Sequence, residues 1–174
     1  MTTQPTPTQS ASAPSAPSPA HEGTPRLRPA SSSDLGAVEQ LLTASGLPLD
    51  GVREALGTFV VAEAGDDLVG VAGLEVCCDN ALLRSVAVRP EWRSHGVGRA
   101  LVTRMIADAE SRGLRAMYLL TTTAERYFPS FGFHPISRQD VPEEIRATVE
   151  FREACCATAT VMCRDCDPPR AAAS

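Results

Sequence analysis

One run of residues constrains the chain more than any other: Ala81-Leu82-Leu83-Arg84-Ser85-Val86-Ala87-Val88, then Arg89-Pro90-Glu91-Trp92, then Arg93-Ser94-His95-Gly96-Val97-Gly98-Arg99. Its first part has the short apolar character of a central strand, its middle holds a Pro turn, and its last part enters a helix through two glycines. Gly96 and Gly98 carry no Cβ, so the backbone can turn sharply there and lie close to an anion. The free N–H groups and positive dipole of the helix start would then face bound phosphates. Arg93 and Arg99 flank the turn and add positive charge. The run lacks the Lys-Ser/Thr ending of a triphosphate loop and the third glycine of a dinucleotide fingerprint, so neither motif fits. The predicted helix continues through Val97, Leu101, Val102, Met105, Ile106 and Ala109 on one broad face, and Gly113 stops it.

The chain has 174 residues, 43% apolar and 21% charged, enough for one soluble core. Residues 1–23 are nearly all Thr, Ser, Ala, Pro and Gln without apolar periodicity, and are expected to form a disordered tail. Residues 24–164 are expected to form the single domain, and residues 165–174 a flexible C-terminal tail. The first segment has neither the basic start nor the apolar centre of a secretory signal, and no run approaches the ~18 apolar residues of a membrane span, so a cytoplasmic location without a membrane partner is expected. A net charge of −5 argues against a grip on nucleic acid. All 16 basic residues are Arg, which excludes Schiff-base chemistry on a lysine.

Read in order, residues 26–30 form a strand, and Ser31-Ser32-Ser33-Asp34 offers caps for a helix carrying Leu35, Val38, Leu41 and Leu42. A second short helix follows Pro48. Residues 58–63 and 68–76 form a hairpin about Gly65-Asp66-Asp67. After the strand and helix described above come a strand at 115–121, a short helix at 123–130, a strand at 133–136, one helix at 142–152 and a last strand at 157–162. This order predicts an α/β (α+β) class domain, a mixed central sheet with helices on both faces.

The Arg-x-x-Gly-x-Gly turn after its strand resembles the central motif of the GCN5-related N-acetyltransferase (GNAT) superfamily. The segment Ala124-Glu125-Arg126-Tyr127-Phe128-Pro129-Ser130-Phe131-Gly132-Phe133 is similar to that superfamily's Ala-x-x-x-Tyr-x-x-x-Gly-Phe stretch, in the right order and at a fitting distance. Leu-Arg-Ser-Val-Ala-Val on the central strand, the Thr-Thr-Thr-Ala-Glu-Arg run, residues 140–145, Glu150-Phe151 and the paired cysteines look like small-molecule amino-acid N-acetyltransferases, above all those associated with arsenic resistance. The resemblance implies an acetyl-CoA-dependent enzyme that transfers acetyl directly to an amine, with no metal. It implies that Arg93, Ser94, His95, Gly96, Val97, Gly98 and Arg99 cradle the pyrophosphate. The backbone at Val86, Ala87 and Val88 would meet the pantetheine arm, where this strand parts from the strand at 115–121.

Two departures from the family's pattern matter. Leu82 occupies the position of a strand-borne glutamate base, and Phe128 that of a tyrosine that protonates the leaving thiolate. The substitute candidates are Glu75, on the preceding strand, as a base working through water, and Tyr127, one place off, as the acid. An α-amine with a pKa near ~7.7–8.0 is partly neutral without help, and a base adds roughly 10²–10⁴-fold. Arg84 is unusual in a buried strand and calls for a partner: either the carboxylate of an anionic substrate, which a guanidinium grips bidentately, or a structural salt bridge. His95 and His134 are weak catalytic candidates, and Trp92 is read as an anchor for the turn.

Six cysteines without a secretion signal read as thiols. Cys77-Cys78 and Cys155-Cys156 are adjacent pairs whose members point apart on a strand; Cys163-x-x-Cys166 has zinc-like spacing and lacks two ligands. Arsenic binding by these thiols is suggested by the resemblance alone. The leading reading is a monomeric or homodimeric enzyme acetylating a small anionic amino-acid-like amine. The alternatives are a protein N-acetyltransferase and a non-catalytic sensor of acyl-CoA.

Overall fold

The structure is a computed structural model that describes residues 23–153 and 158–166. The expected N-terminal tail, apart from Gly23, and the Cys155-Cys156 pair lie outside the described residues, as does 167–174 of the expected C-terminal tail.

The strands are β1 (Arg26–Pro29), β2 (Phe59–Ala64), β3 (Asp67–Cys77), β4 (Asn80–Val88), β5 (Ala116–Thr121), β6 (His134–Ile136) and β7 (Thr160–Asp165). The helices are α1 (Leu35–Ala44), α2 (Val52–Ala55), α3 (Val97–Ser111), α4 (Glu143–Arg146) and α5 (Val149–Glu153). The strands form one sheet in the order β1-β2-β3-β4-β5-β7-β6. Every pairing is antiparallel except β4 with β5. The mixed sheet is the expected one.

Period-two alternation sorts the strands' side chains onto two faces. Val60, Ala62, Ala72, Leu74, Leu83, Met117 and Leu119 pack with Leu101, Val102, Met105 and Ala109 of α3. On the opposite face Phe59, Val61, Val71 and Ala87 meet Val38, Leu41 and Leu42 of α1 and Val52 of α2. Farther along that face Leu82, Tyr118, Val161 and Cys163 meet Ile145 of α4 and Phe151 of α5. Helices thus cover both faces. None of the described helices is long and apolar enough to cross a membrane.

Three local expectations need correction. Residues 123–130 do not form a helix: the Thr121 hydroxyl accepts the Ala124 N–H at 2.9 Å, and only a 3₁₀ turn over Phe128–Phe131 follows, opened by Pro129. The single helix expected at 142–152 is two. Thr148 donates its hydroxyl to the Ile145 carbonyl and accepts the Phe151 N–H at 3.2 Å, so one side chain ends α4 and caps α5. The last strand lies later than expected, running to Asp165, and the Cys166 N–H continues the pattern onto the Arg115 carbonyl at 2.9 Å.

One irregularity was not foreseen. Val71 faces Ala87 and Gly73 faces Arg84, so Ser85 and Val86 together oppose Ala72. Ser85 sits at φ 57°, the left-handed conformation that absorbs the extra residue of a bulge. Beyond the bulge Val86 and Val88 belong to the α3 face and Ala87 to the other.

Candidate functional site

β4 and β5 pair only at Asn80 with Ala116, Ala81 with Met117 and Leu82 with Tyr118. Past Leu82 they separate, leaving one edge of residues 83–88 unpaired against β5. The gap opens into a cleft of about 640 Å³. Leu83 to Val88 form one wall, Leu119, Leu120 and Thr121 the other, and the turn before α3 the mouth. This is the separation of strands that the family resemblance implies.

At the mouth the chain curls through Ser94 (φ 65°) and Gly96 (φ 80°) before α3 begins at Val97. None of the backbone N–H groups of residues 94–99 donates to another backbone carbonyl. The amides of this turn and of the first turn of a 15-residue helix are therefore left without a backbone partner, and Ser94, Gly96, Gly98 and Arg99 of the stretch line the cleft. Gly98 packs closely: a Cβ there would stand 3.1 Å from the Tyr127 hydroxyl and 3.6 Å from Val88 Cγ2. Arg93 and Arg99 both line the cleft. Arg93 Nε donates to the Val88 carbonyl at 3.2 Å, and Arg99 lies over the Phe131 ring at 5.2 Å. Trp92 is buried and anchors the turn in the core. His95 is exposed, its Nδ1 2.8 Å from the Arg93 carbonyl oxygen, and Val97 faces the core. The donor set, all amides and guanidiniums, suits a pyrophosphate.

Tyr127 and Phe128 lie at the other side of the cleft. Phe128 is buried in the core, whereas Tyr127 keeps 38% of its surface exposed and brings its hydroxyl beside Gly98. Burial of the ring raises the Tyr127 pKa above the ordinary phenol range, with Arg99 opposing, so the hydroxyl keeps its proton.

Arg84 occupies the floor where β4 leaves β5. Its side chain is 0% exposed and its guanidinium is engaged on three sides. Nη1 donates to Glu75 Oε2 at 2.8 Å, Nη2 donates to the Asp50 carbonyl, and Nε lies 2.7 Å from Glu150 Oε2. Of the two roles expected for Arg84, the salt bridge is the one observed. Glu75 is tied to this arginine and is absent from the described cleft lining. Glu150, at the start of α5, does line the cleft. Burial raises its pKa, the Arg84 charge opposes that shift, and Glu75 adds to it. A role for Glu150 escaped the sequence reading. The available signal was a carboxylate set between Val149 and Phe151 in a segment that covers Leu82 and Tyr118.

None of the described cysteines, Cys77, Cys78, Cys163 and Cys166, lines the cleft. Cys163 and Cys166 are buried, and burial raises both thiol pKa values; that of Cys77 is pushed up to about 11. They are protonated at neutral pH. Among the described residues no group of three or more His, Cys, Asp or Glu side chains could hold a metal ion. His134 is exposed on β6, outside the cleft.

A family model described as Acetyltransferase (GNAT) domain matches residues 55–135. An amino-acid acetyltransferase of Mycobacterium tuberculosis is 34% identical over 141 residues, covering 75% of this chain and 78% of that one. The chain spans only 29% to 32% of the length of several longer amino-acid acetyltransferases that it matches. Among solved structures, Rv2747 from M. tuberculosis in complex with CoA and NLQ superposes with a TM-score of 0.69 at 28% identity, over 81% of this chain and 99% of that one. N-acetylglutamate synthase from Neisseria gonorrhoeae, complexed with coenzyme A and N-acetyl-glutamate, gives 0.72 at 22% identity, over 84% of this chain and 36% of that one.

Proposed function

Because this chain belongs to the GNAT superfamily of N-acetyltransferases, we propose that it holds acetyl-CoA between β4 and β5 and passes the acetyl group to the amine of a small amino-acid-like acceptor. The observation that carries the reading is the parting of β4 from β5 after Leu82, beside the turn at residues 94–99 whose amides have no backbone partner. A strand edge left open beside an anion cradle is what a long ligand with a diphosphate and an extended amide-bearing arm requires.

In this reading the amides of Ser94, His95, Gly96, Val97, Gly98 and Arg99 hold the pyrophosphate, with Arg93 and Arg99 adding charge. The free backbone edge at Val86, Ala87 and Val88 pairs with the pantetheine arm and polarises the thioester carbonyl. The protonated Tyr127 hydroxyl, beside Gly98, supplies a proton to the leaving sulfur. The acceptor enters past Ser45 and Leu47, which line the same cleft. An amino-acid acceptor is favoured by the name of the M. tuberculosis relative. An arsenic-containing amino acid is the finer proposal, resting on the sequence resemblance. Since the Arg84 guanidinium is occupied, we assign it to holding Glu75 and Glu150 in place, not to gripping a substrate carboxylate.

The test is release of free coenzyme A thiol on mixing the protein with acetyl-CoA and a panel of L-glutamate, L-glutamine, L-aspartate, an organoarsenical amino acid and N-terminal peptides. Release with a free amino acid supports the reading. Release with peptides alone makes the chain a protein acetyltransferase, and acetyl-CoA binding without any release makes it a sensor.

A further inference from the structure

We propose that Glu150 is the group that takes the proton from the attacking amine, in place of a carboxylate on β4 at position 82. The inference rests on the acetyl-transfer reading above and names a residue for it. Among the described residues that line the cleft, Glu150 is the one carboxylate. It stands on the floor beside Arg84, where β4 leaves β5 and the acceptor nitrogen must approach the thioester.

The bonding of its Oε2 is unusual. That oxygen lies 2.7 Å from Arg84 Nε, but the Nε–H is directed at the Ser85 hydroxyl oxygen, 3.4 Å away, and Oε2 is buried without accepting a hydrogen bond. The ion pair holds the carboxylate in place, and Oε2 keeps hydrogen-bonding capacity that a bound amine can use. A second such oxygen, Glu110 Oε1, lies beside Arg164 and away from the cleft. The group around Glu150 also suits a change of charge. Arg84 faces two carboxylates, so the trio carries one net negative charge, which attracts an ammonium. When Glu150 takes a proton, Arg84 keeps Glu75 and the Asp50 carbonyl, so no cation is stranded in the interior. Burial and Glu75 together raise the pKa of Glu150 against the pull of Arg84, which makes it a stronger base than an exposed carboxylate.

The step balances as follows. The acceptor arrives as an ammonium and gives one proton to Glu150. The freed lone pair forms the C–N bond to the thioester carbonyl carbon, and the C–S bond breaks with its electron pair leaving on sulfur. The Tyr127 hydroxyl gives its proton to that sulfur and is restored by the second nitrogen proton, and Glu150 returns its own proton to water.

The test compares wild type with Glu150→Gln, using acetyl-CoA and whichever amino acid in the panel gives the fastest release. The expected result is a fall in kcat/KM of roughly 10²–10⁴-fold, with loss of the rising acid limb of the pH profile and an acetyl-CoA affinity changed by less than about twofold. A folded Glu150→Gln protein with wild-type kcat/KM and an unaltered acid limb overturns the proposal. If the glutamine variant does not fold, Glu150→Asp decides, since it keeps the counterion of Arg84 while withdrawing the carboxylate by one methylene. The aspartate variant is expected to lose roughly tenfold or more in kcat/KM, and wild-type kcat/KM overturns the proposal. If wild type itself releases no coenzyme A with any amine, it is the acetyl-transfer reading that fails.

Discussion

Replacing Arg84 with leucine separates a structural arginine from a substrate clamp. The side chain is fully buried and engages Glu75, Glu150 and the Asp50 carbonyl. Leucine removes the cation and leaves two carboxylates facing each other under the sheet. Glu75 is 25% exposed and can regain water, whereas Glu150 is 13% exposed and cannot, so most of the penalty falls on Glu150. Breaking a buried pair by deleting one partner costs about 3–5 kcal/mol, and partial rehydration of Glu75 points to the lower end. For a chain of this size that is a drop in Tm of roughly 6–12 °C. The pH dependence has a definite sign. The pKa of Glu150 is already raised in the fold and rises further without Arg84, so native stability is fully present below the unfolded glutamate pKa of about 4.3 and is lost as pH rises through the folded value. The variant is therefore expected to lose less stability at pH 5 than at pH 8, measured by denaturant unfolding at both. A loss under about 1 kcal/mol at both pH values, with a many-fold rise in KM for free amino acids but not for their esters, would refute this reasoning and return Arg84 to the acceptor's carboxylate.

Asp34→Asn tests the cluster that ties β1 to the turn before α1. Arg28 bonds Asp34 at 2.7 Å and also Glu63, and both carboxyl pKa values are held below the usual range, chiefly by that arginine. Their stabilisation is fully present above an ordinary carboxyl pKa and is lost only as pH falls through the depressed folded values, so the variant is expected to cost about 1–2 kcal/mol at pH 7, after allowing for solvent screening, to keep most of that difference at pH 3, and to converge on wild type only in stronger acid, as read in denaturant melts. Tyr127→Phe is expected to lower kcat by roughly 10–100-fold with acetyl-CoA affinity retained in calorimetry, and to abolish any fall in rate that accompanies loss of the phenolic proton at high pH. Equal kcat in the two proteins would remove Tyr127 from the reaction.

The cradle was legible because its parts are local. A strand, a Pro turn and two glycines in register with a 3.6-residue apolar period specify the geometry of residues 81–109 without reference to the rest of the chain. The hairpin about Gly65 and the two-faced sheet were legible for the same reason. The errors lie where one polar side chain overrides propensity: Thr148 divides α4 from α5, and Thr121 with Pro129 displaces a helix from 123–130. The β4 bulge was hidden because nothing in Ser85 announces a positive φ. The floor of the cleft was hidden because it joins residues far apart in sequence. Asp50, Glu75, Arg84 and Glu150 meet only when β3, β4, α5 and the loop before α2 are packed. The sequence showed that Arg84 needed a partner, and the fold supplies two from the protein itself.

The central claim is that the turn at residues 93–99 and the gap between β4 and β5 bind acetyl-CoA. Its most direct test is a calorimetric titration of acetyl-CoA into wild type and into Gly96→Asp. A Cβ at position 96 meets nothing within 4 Å, so the substitution is expected to leave the fold intact apart from the strain of φ 80°, while placing a negative charge among the unpaired amides of the turn. Saturable binding to wild type is expected, with a loss of roughly tenfold or more in the folded variant. No binding to wild type, or unchanged affinity in folded Gly96→Asp, would contradict that claim.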